Sequence, residues 1–142
     1  MTPRVLKQTE INLLWQNLDS AKGKEYSLAR IQALEKLVKA GESLASRDFR
    51  NTDLSSAKLR GADLRGADLS GAKLRNTDLR NTDLSSAKLS GADLSGADLS
   101  GADLRYAKNP TPEQVKSANS WKEAEYDEDF RTKLGLPPEL AK

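Results

Sequence analysis

Large apolar residues recur at every fifth position through the centre of the chain. Leucine fills each of these positions from Leu54 to Leu104, and Phe49 precedes them in the same register. Ala or Thr stands two residues before each leucine, Asp or Lys one before, Ser or Arg one after, and usually Gly, Asn or Ser two after. So strict an internal repeat indicates the architecture before any other feature is considered.

A period of five residues fits neither a straight helix nor a flat strand. On an α-helix, five residues advance about 500°, so the leucines would lie on every side. On a strand, residues five apart point to opposite faces. If the chain turns a corner once per repeat, all the leucines face a common axis, and Gly, Asn or Ser suits the corner because these residues tolerate positive φ. The repeat therefore predicts a solenoid with a leucine core.

The repeat motif also resembles that of a known family. The stretch ADLSGADLSGADLR at 92–105 is similar to pentapeptide-repeat proteins, and the resemblance covers residues 49–106. It implies an all-β solenoid, a right-handed quadrilateral β-helix with four pentapeptides per coil and about three coils. Under that closure, residues 20 apart stack in one column.

Helices are predicted before the repeats. Ile11, Leu14, Trp15 and Leu18 form one helical stripe, in a helix beginning at Thr9 or as early as Thr2-Pro3. Gly23 indicates a loop. A second helix is predicted over 27–40, with Ser27 as N-cap and Gly41 as its stop, and its apolar face comprises Leu28, Ile31, Leu34 and Val38, with Leu37 beside it. We expect residues 1–47 to form an N-terminal helical hairpin cap, in which Trp15 either packs in the core or contacts a partner.

A second helical segment is predicted after the repeats. Thr111-Pro112-Glu113-Gln114 has the sequence of a capping box with proline at the first helical position. Asp127 can cap a short last helix that Gly135 stops. The sequence thus predicts a β-helix over 48–108 and a C-terminal helical cap over 109–142, all one folding unit. The tail also resembles those of cyanobacterial pentapeptide-repeat proteins.

A longer duplication lies within the repeats. Residues 51–75 and 81–105 differ only where Arg60, Arg65 and Lys73 are replaced by Ser90, Ser95 and Asp103. Such uniformity is typical of a recent duplication or of an engineered, consensus-like block.

Two sets of polar residues are candidates for chemistry. The column of Asp63, Asp83 and Asp103 could be a Ca²⁺ or cationic contact line, or a row of solvated motif positions. The threonines that replace alanine could bond the backbone, whereas a nucleophilic role would need an adjacent base that the sequence does not provide; they are Thr52, Thr77 and Thr82.

Composition limits the function further. Hydrophobic residues make up 37% and mean hydropathy is −0.69, values that would indicate disorder without the strict repeat. The chain has no cysteine and no histidine, which removes the commonest nucleophile, base and metal ligands. No signal peptide and no apolar stretch of membrane-spanning length is evident.

We therefore expect a non-catalytic structural or protein-interaction scaffold with an unknown protein partner. We expect a cytoplasmic monomer with no cofactor, metal, nucleic acid or membrane partner. The alternative, drawn from the family resemblance, is a DNA mimic that binds gyrase. That role needs a strongly acidic rod, whereas residues 48–106 carry nine basic and nine acidic side chains.

Overall fold

The structure, a computed structural model, describes residues 5–20 and 28–139. Parallel bridges join residues 20 apart throughout the repeats, beginning with Asp48 to Asp68 and reaching Lys88 to Lys108. Three backbone bonds per pentapeptide hold each coil to the next, and two of them are made by the bridged residue. The Leu84 N–H donates to the Asp103 carbonyl at 2.7 Å, and the Asp103 N–H donates to the Thr82 carbonyl at 2.9 Å. The third bond runs from the corner, where the Ser86 N–H donates to the Arg105 carbonyl at 3.1 Å. Four pentapeptides therefore complete one coil.

The coil contains no continuous strand within the described residues. Each pentapeptide contributes one bridged residue, flanked by a two-residue turn. The predicted four-sided solenoid is present, but its walls are columns of single bridged residues rather than of continuous strands. The reason is that a chain turning every five residues has too few extended residues between corners to form a ladder longer than a single bridge.

The bridged residues define four walls, which we name by their order along the chain. Wall A contains Asp48, Asp68, Lys88 and Lys108; wall B contains Asp53, Lys73 and Asp93; wall C contains Lys58, Asp78, Asp98 and Asn119; wall D contains Asp63, Asp83, Asp103 and Glu125. On wall D the ladder begins earlier still, because the Leu44 N–H donates to the Asp63 carbonyl at 2.8 Å. The ladder thus overlaps both of the segments that the sequence predicts as caps.

The core is a stack of leucines with alanines and threonines beside them. Leu44 and Phe49 are buried, and every leucine from Leu54 to Leu104 is at most 2% exposed. The inward orientation of the leucines, predicted from the five-residue period, is confirmed. Small residues fit the neighbouring column because four walls converge on the leucines at interior packing density.

Two helices precede the coil: α1 (Gln8–Ser20) and α2 (Leu28–Lys39). Within α2, Ile31, Leu34 and Leu37 are buried, but Leu28 is 57% exposed, so its predicted place on the buried face is wrong. Arg30 is buried instead, at 3% exposed, because the face turned to the coil is rotated toward Leu37. The predicted start at Thr2-Pro3, the loop at Gly23 and the cap at Ser27 lie outside the described residues.

Contacts tie these helices to the first coil. The Glu35 carboxylate accepts the Lys58 backbone N–H at 2.7 Å, which gives a partner to a donor at the end of the ladder. Trp15 is partly buried against the core, and the Arg47 guanidinium stacks 3.7 Å from its ring centroid. Leu34, Leu37 and the coil leucines belong to one continuous hydrophobic cluster.

Three short helical segments follow the coil: α3 (Pro112–Lys116), a 3₁₀ turn (Trp121–Glu123) and α4 (Glu128–Leu134). The predicted capping box is present in α3, and Asp127 caps α4 as predicted. Between these segments the ladder continues, with bridges from Asp98 to Asn119 and from Asp103 to Glu125. The inserted helical residues lengthen the spacing between bridged residues beyond 20, so the five-residue repeat in the sequence does not reveal that the ladder continues.

Tyr126 takes the leucine position in this last, divergent rung. Glu125 makes both backbone bonds of a wall residue, and the Tyr126 side chain behind it is 2% exposed. Its hydroxyl donates to the Trp121 carbonyl, and burial raises the pKa of Tyr126 above its ordinary value. Across the described ranges, no helix is long and apolar enough to cross a bilayer.

Candidate functional site

The wall aspartates have a shared structural task at the corners. In all nine, a carboxylate oxygen accepts the backbone N–H two residues later, at 3.0 to 3.3 Å. An aspartate that bonds its own backbone in this way stabilises the turn that follows it. The aspartate of each D-L-[S/R] triplet is therefore a corner cap. This role was not predicted, because the constant position of the aspartates in the repeat fits charge balance equally well.

Arginines after the leucines join adjacent rungs. Arg65 donates from Nε and Nη2 to the two oxygens of Asp63 at 2.8 and 2.9 Å, and its Nε lies 4.0 Å from an oxygen of Asp83 in the next coil. The same arrangement recurs at Arg50 on wall A, at Arg80 on wall C and at Arg105 on wall D itself. These guanidiniums are exposed, so solvent screens the pairs and each contributes little to stability on its own.

Side-chain hydrogen bonds at the corners also lower the pKa values of five aspartates. The hydrogen bond from Arg65 is the largest cause that holds the pKa of Asp63 well below its usual range. Hydrogen bonds from the side chain two residues later likewise lower the pKa values of the other four, which are Asp68, Asp78, Asp93 and Asp103. These carboxylates are stabilised as anions, whereas a general acid needs a raised pKa.

The predicted all-aspartate column lies on wall D and is longer than predicted. At the first rung of the column the Ser43 hydroxyl donates to Asp63 at 2.7 Å, and after the last aspartate Glu125 adds a fourth carboxylate. Asp83, in the middle, accepts both the N–H and the hydroxyl of Ser85. Within the part of the chain that the structure describes, no group of three carboxylates and similar ligands could hold a metal ion. The column is thus a row of separately bonded corner caps.

The threonines bond the backbone as predicted. The Thr77 hydroxyl donates to the Leu54 carbonyl and the Thr82 hydroxyl to the Leu59 carbonyl, both at 3.0 Å, so each links one coil to the coil below. Thr52 has no repeat coil below it and donates to the Arg50 carbonyl within its own turn, at 3.2 Å.

Two aromatic residues and one groove lie outside these rows. Trp121 is partly buried, and the ammonium groups of Lys116 and Lys122 lie 5.6 and 5.5 Å from its ring centroid. Tyr106, at the last corner of wall D, is 70% exposed. Between α1 and α2 lies an open groove of about 620 Å³ that includes Leu13 and that the sequence did not predict.

Comparison with known proteins identifies the repeats. The family model for pentapeptide repeats matches residues 48–85 and 82–108, with eight copies. Residues 48–108 are a pentapeptide-repeat domain. No curated protein sequence matches the chain.

The pentapeptide-repeat domain is also similar to solved structures of the family. HetL, a pentapeptide repeat protein involved in heterocyst differentiation regulation from the cyanobacterium Nostoc sp. strain PCC 7120, is 35% identical over 59% of this chain, with a TM-score of 0.47. The match spans only 38% of HetL. A pentapeptide repeat protein from the Arabidopsis thaliana thylakoid lumen is 27% identical over 70% of this chain and 78% of its own, with a TM-score of 0.46. Rfr23 from the cyanobacterium Cyanothece 51142 is 30% identical over 58% of this chain and 54% of its own, with a TM-score of 0.29.

Proposed function

We propose that the chain is a non-catalytic protein-interaction scaffold, in which a right-handed four-sided coil presents rows of side chains and the helical segments cap both ends. The observation that carries this proposal is the role of the wall aspartates. All nine bond their own corners, so the commonest charged groups of the coil serve its architecture and stand at regular intervals along it.

The fixed spacing supports recognition of a protein surface. Successive rungs are about 4.8 Å apart, and the corner bond restricts each carboxylate to one orientation. A side chain whose orientation is already fixed loses less conformational entropy when a partner binds. The walls differ in charge, so a partner can distinguish them.

The caps are supported by contacts at both ends. Glu35 accepts a backbone N–H of the first coil, and the Gln114 amide donates to the carbonyls of Leu89 and Ala92 at 3.0 and 2.7 Å. Backbone groups at the end of a ladder otherwise invite pairing with another chain. Protected ends favour binding through the walls, and they favour a monomer over end-to-end assembly.

Photo-crosslinking from each wall in turn tests this proposal. A photo-crosslinking residue would replace one serine per wall: Ser70 on wall A, Ser95 on wall B, Ser100 on wall C and Ser85 on wall D. We expect one wall to capture a defined protein from the native cell extract and the other three to serve as matched controls. Failure of all four walls to capture any protein above background would overturn the scaffold proposal.

The gyrase-binding alternative has a separate test. Guanidiniums neutralise the acidic columns, for example Arg50 on wall A and Arg80 on wall C. Mimicry of a polyanion needs a net negative field, so we expect no dose-dependent inhibition in a gyrase supercoiling assay. Inhibition at micromolar protein would favour the mimic instead.

A further inference from the structure

Tyr106 breaks the rule that the other corners follow. It occupies the last corner of wall D, above Ser46, Gly66 and Ser86, and its φ is +62°. The other described non-glycine residues with positive φ are all serine or asparagine. A bulky side chain in this left-handed region is a conformational outlier that costs free energy.

Packing among residues 5–20 and 28–139 does not account for this tyrosine. Its side chain is 70% exposed, and the corner residues below it are too small to cover the ring. The other described aromatic rings are buried or partly buried against the core; they are Trp15, Phe49, Trp121, Tyr126 and Phe130. An exposed ring held in a strained conformation is the kind of residue that contributes strongly to binding when a partner covers it.

The C-terminal segment holds the strained corner in place. The Tyr106 N–H donates to Asp127 Oδ1 at 2.9 Å, while Asp127 Oδ2 accepts the Phe130 N–H at 3.3 Å. One aspartate thus fixes the corner and the start of α4 together. The backbone that carries the ring is thus held before a partner arrives, which lowers the entropy lost on binding.

Charge around the ring indicates what it would bind. At the end of wall D nearest Tyr106, Asp103 and Glu125 lie on either side of Arg105, which pairs with both. Beside the corner, a groove of about 410 Å³ has Asp127, Asp129 and Lys133 as its charged lining residues. Glu125 and Asp129 are exposed. Around the corner, the four carboxylates of Asp103, Glu125, Asp127 and Asp129 thus outnumber the two cations, Arg105 and Lys133, which favours a cationic partner.

We propose that Tyr106 anchors a docking surface for an arginine-bearing segment of a protein partner. One guanidinium would stack on the ring, and Glu125 and Asp129 would accept hydrogen bonds from this or a neighbouring arginine. The proposal rests on the scaffold function and assigns it a wall and a partner chemistry.

The test measures binding of a fluorescein-labelled hexa-arginine peptide by anisotropy at about 0.15 M salt. We expect Tyr106→Gly to weaken binding about fivefold or more, because it removes the cation–π contact. Tyr106→Phe keeps the ring and should bind within about twofold of the wild type. Asp83→Asn, on the same wall one coil away, is the matched control for general electrostatic attraction and should change binding by less than about twofold.

Thermal unfolding distinguishes a binding role of Tyr106 from a structural role, because the two predict opposite changes in Tm. Tyr106→Gly relieves the positive φ, so we expect its Tm to equal or exceed that of the wild type. A lower Tm would show that the tyrosine stabilises the fold, and it would overturn the inference.

The remaining outcomes separate this inference from the scaffold proposal. Equal weakening by Tyr106→Gly and Asp83→Asn, or no binding by the wild type at about 1 mM protein, would overturn the Tyr106 anchor. Capture of a partner from wall A, B or C alone would also overturn it while leaving the scaffold intact. Capture from no wall would overturn both.

Discussion

Two neighbouring corners of one coil give a matched test of the stacking between coils. Gly96 and Gly91 have φ values of +70° and +68°. A Cβ at Gly96 would lie 2.3 Å from Oδ1 and 3.4 Å from Cγ of Asn76, which stands 20 residues earlier. A Cβ at Gly91 would meet only the backbone of Gly71, at 4.0 Å. Alanine at either position must adopt the same positive φ, but of these two positions only Gly96 would bring its Cβ against a side chain of the neighbouring coil.

The magnitudes follow from these distances. Left-handed backbone costs an alanine about 1–2 kcal/mol, partly offset by about 0.4–1 kcal/mol from the lower entropy of the unfolded chain. We therefore expect Gly91→Ala to lower the free energy of unfolding by about 1 kcal/mol. Gly96→Ala must also push the Asn76 amide out of its rotamer, which adds about 0.5–1.5 kcal/mol. Its total loss should be about 2 kcal/mol.

Urea denaturation followed by far-UV circular dichroism measures both losses. The double variant Asn76→Gly/Gly96→Ala completes a mutant cycle, and we expect the extra loss at Gly96 to disappear once the amide is gone. Equal losses for Gly91→Ala and Gly96→Ala, or no coupling between Asn76 and Gly96, would refute the stacking of these corners.

Three further predictions concern the core and the wall carboxylates. Thr77→Val should lower the free energy of unfolding by about 0.5–1.5 kcal/mol, because it removes the hydrogen bond to the Leu54 carbonyl in the coil below. Thr52→Val should lower it by less, because the Thr52 hydroxyl bonds only within its own turn. Equal losses for the two variants in urea denaturation would contradict this. Leu84→Asp places a charge at a fully buried position of the leucine stack and should abolish the native circular dichroism spectrum. A spectrum and Tm like those of the wild type would show that Leu84 does not face inward. The five wall aspartates with lowered pKa bind fewer protons folded than unfolded, so their contribution to stability is full above the unfolded pKa of about 4 and is lost as pH falls through the folded values. Urea midpoints should therefore fall between about pH 5 and pH 2, and midpoints that stay constant over that range would contradict the corner bonds.

The leucine core could be predicted from the sequence because only one kind of chain path buries leucines that recur every five residues. A leucine every fifth residue has no common face unless the chain turns, and that argument alone places Leu84 inside. The number of pentapeptides per coil could not be derived in this way, since three, four or five would satisfy the same period. That number came from the family resemblance, and the bridges between residues 20 apart agree with it.

Other features escaped prediction because one pattern has two physical meanings. The aspartate before each leucine satisfies charge balance and corner capping equally well, and only the N–H contacts identify the capping role. Leu28 departs from its expected burial because the direction in which α2 faces depends on the coil beneath it. Tyr126 could not be assigned to the leucine position of a further rung because inserted helical residues break the five-residue register before it.

The closure of the coil after four pentapeptides determines which side chains share a wall, and disulfide formation tests it most directly. The chain has no cysteine, and serine occupies positions 70, 85, 90 and 95. Residues one rung apart are about 4.8 Å apart, within the Cα separation that a disulfide needs. We expect Ser70→Cys/Ser90→Cys to oxidise readily in the native protein and to raise its Tm. The pairs 70/85 and 70/95, which three or five pentapeptides per coil would bring together, should close only after denaturation. Native closure of either control pair as fast as 70/90 would contradict the four-sided coil.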